Sequence, residues 1–227
     1  MTSATLLPDE YDRLVKLLTV HCAYPLPYPL AGAYFEELFA ASVNGKREPR
    51  KLLFDVLRDR TGWSLKTHQA KRTKGDTFEV VIQRCDILKN KNISLESPVE
   101  ILGEHILNHF NSFFNTSIQR QEITDPRAAF LIRDSNQKYF IFFQEKYEIY
   151  KSHEISWRWS NDNNRSIMGF IDSKLVLRWY RSGTQLFGVY EIPQDAHEFQ
   201  IDWKRVSLDE TIAFFTRQGI ARINKDS

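Results

Sequence analysis

The order of helical and strand segments limits the fold of this chain more than any other feature of its sequence. Apolar residues recur at helical spacing early in the chain, in its middle and near its end, and segments of strand-like alternation lie between. The predicted helices cover residues 9–20, 33–43, 98–114 and 207–220, and the predicted strands cover 51–57, 62–68, 77–88, 127–133, 138–150 and a hairpin within 174–193. This order predicts an α/β (α+β) fold with a sheet packed between helices.

Local signals predict several boundaries of these elements. Ser97 is the expected N-cap of the third helix, and Ser207 is the expected N-cap of the last, where Glu210 completes a capping box. Asn44-Gly45 ends the second helix, and Ser182-Gly183 turns the late hairpin. The three strands after the second helix are predicted to form a β-meander.

Length and composition exclude several classes of protein. A chain of 227 residues with 42% hydrophobic residues is long enough for one globular domain with a sizeable core. The acidic start, with Asp9, Glu10 and Asp12, is unlike a secretory signal, and no stretch is apolar enough to predict a membrane span. Two cysteines, Cys22 and Cys85, cannot build a disulfide framework, so we expect a cytoplasmic protein.

Polar residues near the ends of the first two predicted strands suggest a site for chemistry. Asp55 follows the apolar residues 52–54, and Ser64 and Lys66 on the next strand point to one face while Leu65 points to the core. Glu36 lies on the preceding helix, so it can reach the same place. Carboxylates that hold Mg²⁺ beside a lysine form a set of groups that can hydrolyse phosphodiesters.

This arrangement resembles the active-site signature of the PD-(D/E)xK nucleases, and within them the type II restriction endonucleases. The similarity rests on Asp55, on Ser64-Leu65-Lys66 nine positions later, and on the acidic helix "GAYFEELF", and it covers roughly residues 30–90. It implies a restriction-endonuclease-like central mixed β-sheet flanked by helices. It also implies that Asp55 is the central metal ligand, that Lys66 is the catalytic lysine and that Glu36 is an auxiliary acid.

The chain departs from that signature in two places. No proline precedes Asp55, and Ser64 stands where the family usually has an acid, so the metal would depend on the Leu65 carbonyl, on Glu36 or Glu37, and on water. Asp59, in the predicted turn, is a rival for the role of Asp55. In the alternative reading without a site, Asp55 caps a turn, Lys66 extends along a strand and Glu36 is solvated.

Two later segments are rich in the residue types that contact DNA. Arginine and lysine read guanine or hold phosphates, and asparagine and glutamine read adenine. The candidates for DNA contact are Arg158, Asn161, Asn163, Asn164, Arg165, Arg178, Arg181 and Gln185, together with Lys71 and Arg72 from the basic stretch after the second strand. Turn chemistry explains the asparagines equally well, and core packing explains the tryptophans of the same segments, Trp157, Trp159 and Trp179.

Other polar residues give weaker indications. His105 and His109 are four positions apart on a predicted helix, but the sequence offers no third zinc ligand nearby, and packing explains them better. Gln83, on the third strand, is expected to be structural rather than part of the site.

The sequence therefore predicts a Mg²⁺-dependent type II restriction endonuclease that cuts double-stranded DNA at a short palindromic site and leaves 5′-phosphate ends. We expect one domain, with helices and a catalytic meander in residues 1–116 and a DNA-recognition half in 117–227. A homodimer would match a palindrome, and a cognate DNA methyltransferase would protect the host site. The alternatives are an inactive nuclease-fold DNA-binding protein, a protein-interaction domain and a DNA repair nuclease of the same fold.

Overall fold

The computed structural model describes residues 6–25, 30–50, 52–87, 93–161, 164–182 and 184–218, which form four α-helices and eleven β-strands. The helices are α1 (Pro8–Ala23), α2 (Gly32–Ser42), α3 (Val99–Gln121) and α4 (Leu208–Arg217). The strands are β1 (Lys46–Arg47), β2 (Val56–Arg58), β3 (Thr61–Gln69), β4 (Thr77–Arg84), β5 (Asp125–Arg133), β6 (Tyr139–Lys146), β7 (Ser156–Trp159), β8 (Ser166–Ile171), β9 (Lys174–Tyr180), β10 (Gln185–Glu191) and β11 (His197–Gln200).

The strands form two sheets. The first sheet has the order β1-β2-β3-β5-β6-β11, and the second has the order β4-β10-β9-β8-β7. Only β3 and β5 pair in parallel among these strands, and the chain between them includes α3, as a parallel crossover requires.

The first sheet is buried on both faces. Trp63 and Leu65 point toward α1 and α2 and join a core with Phe39. Ala128 and Phe130, on the opposite face, join a second core that includes side chains of α3 and of the second sheet. The two faces of this sheet therefore bury side chains in two separate cores.

The mixed α+β class is confirmed, and the order of helices and strands follows the prediction closely. The helices begin or end within a few residues of their predicted bounds, except that α3 continues to Gln121. The capping box of Ser207 and Glu210 is confirmed, because each side chain accepts a hydrogen bond from the other's backbone N–H. Gly183, in the predicted hairpin turn, lies outside the described residues.

Three predictions of the local structure were wrong. The strand expected over 51–57 is reduced to Val56–Arg58, and Pro98 rather than Ser97 is the N-cap of α3, without a side-chain cap. The β-meander does not form, because β4 leaves the first sheet and pairs with β10 in the second. The connection before β4 contains Gly75 with a φ of 86°, a left-handed conformation that suits glycine.

The two predicted halves of the chain interleave in the fold. The first sheet contains β5 and β6 from the later half, while the second sheet takes β4 from the earlier half. None of the described helices is long and apolar enough to cross a membrane.

Candidate functional site

The candidate site lies where β2 separates from β3, a place that we call the fork and define by Asp55, Ser64, Leu65 and Lys66. The backbone N–H of Asp55 donates to the Trp63 carbonyl at 2.8 Å, which is the last backbone hydrogen bond between the two strands at this end. The Asp55 carboxylate then accepts the Leu65 N–H through Oδ2 at 2.7 Å. The carboxylate thus replaces the carbonyl that a longer β2 would have offered.

Helix α3 holds the chain away from β3 just before the fork. The Leu53 N–H donates to Ser117 Oγ at 3.2 Å, and Gln121 Nε2 donates to the Phe54 carbonyl at 3.0 Å. Leu53 and Phe54 are also buried in the core that α3 shares with the second sheet. These contacts explain why the predicted strand over 51–57 is short, and why Asp55 stands at an opening in the sheet.

The Leu65 carbonyl faces the same opening. A strand residue directs its N–H and its carbonyl toward the same neighbouring strand, and the Leu65 N–H points at Asp55. Leu65 therefore presents a backbone oxygen on the Asp55 side of β3, as the metal-ligand prediction requires.

Asp55 and Lys66 perturb each other's ionisation. Burial raises the pKa of the half-buried Asp55 to about 6, against the opposing effects of the Lys66 charge and the Leu65 N–H. Burial lowers the pKa of Lys66, while the charges of Asp55 and Glu36 act in the opposite direction. The charges of Asp55, Lys66 and Glu36, the three side chains predicted from the sequence, therefore influence one another.

Glu36 and Glu37 are both held by an arginine that the sequence reasoning did not place in the site. Arg47 donates from Nε to Glu36 at 2.7 Å and from Nη1 to Glu37 at 2.9 Å. Glu36 is the more shielded of the two acids, with 22% of its side chain exposed against 59% for Glu37, so it is the better candidate for the site. Arg47 also helps to keep the pKa of Asp55 from rising further.

Ser64 lies on the predicted face but is fully buried. Its pairing partner Ala128 belongs to the core between the first sheet, α3 and the second sheet, and its Oγ has no hydrogen-bond partner among the described residues. An acid at this position would be buried beside Ala128, whereas serine places only a small hydroxyl there.

The remaining candidates for chemistry lie elsewhere. Asp59 is exposed in the turn between β2 and β3, at the end of β2 opposite Asp55. Gln83 is buried in the second sheet, opposite Leu186. Burial lowers the pKa of His109, and no group of three His, Cys, Asp or Glu residues in the described parts of the chain could hold a metal ion.

Most of the residues predicted to contact DNA lie at one end of the second sheet, in or near the turns that follow β7 and β9. The turns that follow β7 and β9 lie side by side, since the Arg181 N–H donates to the Arg165 carbonyl at 3.2 Å. Asn161 and Arg178 line a cavity of about 360 Å³ in this region. Asn164, Arg165 and Arg181 are exposed, Gln185 begins β10, and Asn163 lies outside the described residues.

Some of these candidates are engaged within the protein. Arg178 Nη1 pairs with Glu79 at 2.9 Å, and the Arg158 guanidinium lies 4.0 Å from the centre of the Phe170 ring. Lys71 and Arg72 precede β4, whereas Gln185 pairs with Arg84 at its other end, so these two basic residues do not join the cluster. Trp157 and Trp179 are buried, as the core-packing alternative predicts.

A basic cleft with a volume of about 640 Å³ borders Arg47. It is lined by Asn44, Lys46, Arg47, Glu48, Pro49, Arg50, Leu57, Arg58 and Asp59. Arg58 and Arg50 are paired with Glu10 and Glu48, respectively. The lining thus combines four cations with two acids, Glu48 and Asp59, and Arg47, Arg50 and Arg58 are paired with carboxylates.

The fork fits a magnesium ion with few protein ligands. Asp55, Glu36 and the Leu65 carbonyl are oxygen donors, which Mg²⁺ prefers, and this ion usually keeps several waters beside one or two carboxylates. The pKa of the half-buried Asp55 carboxyl is raised although Lys66 and Arg47 lower it, so a further cation beside Asp55 would favour its charged form.

Comparison of the chain with protein-family models, curated proteins and solved structures finds no match.

Proposed function

We propose that the protein is a Mg²⁺-dependent endonuclease that cuts double-stranded DNA at a short palindromic site, in the manner of a type II restriction enzyme. The observation that carries the proposal is the Asp55 carboxylate, which accepts the Leu65 N–H at 2.7 Å and interacts electrostatically with Lys66 and Glu36 at the opening between β2 and β3. The resemblance to the PD-(D/E)xK signature adds support, because α2, Asp55 and Lys66 stand in the order and spacing of that family.

The proposal gives separate roles to Asp55, Leu65 and Lys66 of the fork and to Glu36. Asp55, Glu36 and the Leu65 carbonyl would hold Mg²⁺, which when bound supplies Lewis-acid polarisation of the phosphate and a more acidic water. Lys66 lies on the same face as Ser64, and its lowered pKa suits it to accept a proton from the attacking water. As an ammonium, Lys66 would instead stabilise the negative charge that develops on the phosphate oxygens.

The reaction is an in-line displacement at phosphorus. The water oxygen forms a bond to phosphorus as the bond to the 3′ oxygen breaks, which leaves a 5′-phosphate and a 3′-hydroxyl. A homodimer would cut both strands of a palindrome, and a cognate DNA methyltransferase would protect the same site in the host. The exposed residues at the turns after β7 and β9 are the proposed DNA contacts.

The test is cleavage of phage DNA with Mg²⁺ by the wild type and three variants. Asp55→Asn and Lys66→Met should abolish discrete bands on a gel, while Asp59→Asn should retain them because Asp59 lies in a turn outside the fork. Cleavage that survives Asp55→Asn would contradict the proposed site, and intact DNA with every protein would contradict the proposed activity.

A second candidate is an inactive DNA-binding protein of the same fold. The buried serine at position 64 and the absence of a three-residue metal group among the described residues favour it. It predicts salt-sensitive binding of duplex DNA that does not depend on Asp55 or Mg²⁺. A repair nuclease of this fold would instead cut mismatched or damaged duplex in preference to an intact site.

A further inference from the structure

Arg47 binds one carboxylate oxygen of Glu36 and one of Glu37, beside the fork. Its guanidinium bridges Glu36 and Glu37, at 2.7 Å and 2.9 Å. Its position is fixed by β1, in which Arg47 pairs with Val56, the residue next to Asp55. Arg47 is therefore the cation that neutralises the acidic helix in this structure.

A divalent cation and Arg47 would compete for Glu36. The charged groups in and beside the fork are three carboxylates and two cations. The carboxylates are those of Glu36, Glu37 and Asp55, and the cations are Lys66 and Arg47. A divalent cation between Asp55 and Glu36 would repel the Arg47 guanidinium at short range. It would also compete for the Glu36 oxygen that the guanidinium binds, so the ion pair between Arg47 and Glu36 would become weaker.

The exchange needs no disruption of the core. The Arg47 side chain is 41% exposed, and exposed ion pairs contribute little to stability. Arg47 also lines the cleft with Lys46 and Arg50, so a released guanidinium would already face this groove. Arginine is well suited to contact phosphate in the cleft, because the N–H donors of its planar guanidinium match the spacing of phosphate oxygens.

We propose that the Arg47 guanidinium neutralises Glu36 until a divalent cation displaces it, and that it then binds a DNA phosphate. Before a divalent cation binds, Arg47 neutralises Glu36 and Glu37. When a divalent cation binds at Asp55 and Glu36, Arg47 is released into the basic cleft and contacts the DNA backbone. Metal binding and DNA binding are thereby coupled through one side chain. This inference rests on the proposed nuclease function.

Binding of Mn²⁺ to the full chain, measured by calorimetry at low salt without DNA, tests the competition. Arg47→Met should bind Mn²⁺ more tightly than the wild type, roughly three- to tenfold, because Glu36 no longer has to be freed from an ion pair. Arg50→Met is the matched control: Arg50 lines the same cleft but pairs with Glu48, so its loss should leave the Mn²⁺ affinity unchanged. Asp55→Asn should weaken binding in either background.

Duplex affinity measured with Ca²⁺ and with EDTA tests the second step. Arg47→Met should weaken binding of a short duplex several-fold in Ca²⁺ and little in EDTA, where Glu36 and Glu37 hold the arginine in the wild type. Arg50→Met should have the same effect in both buffers. An equal loss for Arg47→Met in both buffers would overturn the coupling.

The two hypotheses fail differently. Equal Mn²⁺ affinity of the wild type and Arg47→Met, with a clear loss in Asp55→Asn, overturns the exchange and leaves the nuclease proposal standing. Mn²⁺ binding that does not depend on Asp55 in any protein overturns both.

Discussion

Two buried serines near the fork differ in their hydrogen bonding. Ser64 and Ser117 are both fully buried, but Ser64 Oγ has no partner among the described residues. Ser117 Oγ donates to the Phe113 carbonyl at 2.8 Å and accepts the Leu53 N–H at 3.2 Å. Alanine substitutions at the two positions can therefore be compared: one removes only a hydroxyl, and the other removes a hydroxyl together with its hydrogen bonds.

We predict that Ser64→Ala changes the free energy of unfolding by less than about 0.5 kcal/mol, since no hydrogen bond is lost. Ser117→Ala should cost about 1–3 kcal/mol, because it leaves the buried Leu53 N–H without its acceptor. Urea unfolding followed by tryptophan fluorescence measures both. Ser64→Ala should also retain DNA cleavage, and a loss of cleavage without a loss of stability would show that the hydroxyl acts in the reaction.

The sequence predicted which residues form the fork better than it predicted which residues contact them. The position of Lys66 on the face of Ser64 followed from strand alternation, which depends only on local spacing. Asp55 lies just before β2 rather than inside the strand expected over 51–57, so its position did not follow from that pattern. Arg47 was missed because it lies in a two-residue strand, too short for any periodic pattern, and its role depends on where α2 packs. Only the basic character of the stretch from Lys46 onward could have pointed to it.

A glycine in α3 determines how closely this helix approaches the second sheet. A Cβ atom at Gly103 would lie 2.2 Å from Trp157 Cδ2, on β7, and that side chain is buried. Gly32, at the start of α2, has no atom within 4 Å of the corresponding point. The two positions form a matched pair, with a close contact at one and open space at the other.

We predict that Gly103→Ala lowers the free energy of unfolding by about 1–3 kcal/mol, because the helix must move away from Trp157. The loss should outweigh the gain of up to about 1 kcal/mol that alanine brings to a helix interior. Gly32→Ala should be neutral or slightly stabilising. Thermal unfolding of both variants checks this, and a stabilised Gly103→Ala protein would mean that α3 and β7 are farther apart than the structure shows.

The types of the elements were predictable, whereas their partners were not. Apolar spacing defines a helix such as α3 whatever packs against it, and the capping box of α4 is a local signal. The alternating pattern of β4, in contrast, suits either sheet, because burial of Phe78, Val80 and Ile82 requires only some apolar partner. The short β2 also depends on distant residues, since Ser117 and Gln121 of α3 bind the segment before it.

At the scale of the whole molecule, the packing of the two sheets half-buries an acid, Glu145. Glu145, on β6 of the first sheet, lies in the same cross-strand row as Ala128 and Ser64. Burial raises its pKa from 4.5 to about 7, opposed only in part by the charge of Lys174 on β9. Lys174 is itself paired with Glu191 at 2.7 Å. The packing of the sheets thus keeps a carboxyl group in surroundings that disfavour its charge.

This carboxyl group makes the stability of the protein depend on pH in a defined direction. The folded state holds the proton of Glu145 up to about pH 7, whereas the unfolded chain releases it near pH 4.5. Stability is therefore greatest below the unfolded pKa and falls as the pH rises through the folded value. The full effect on the free energy of unfolding is at most about 3.5 kcal/mol, because the pKa difference is about 2.5 and each pKa unit corresponds to about 1.4 kcal/mol.

Glu145→Gln should remove this loss, because the amide carries no charge at any pH. We predict that the variant is more stable than the wild type by about 2–3 kcal/mol at pH 8, and that the difference narrows as the pH falls toward 4.5. Glu148→Gln is the matched control, since Glu148 is 63% exposed and pairs with Lys146 on the surface. Urea unfolding of the three proteins between pH 4.5 and 8.5 measures the difference. If the free energies of unfolding of Glu145→Gln and the wild type differ by the same amount at every pH, Glu145 does not titrate in this range. The amide would then act only through packing.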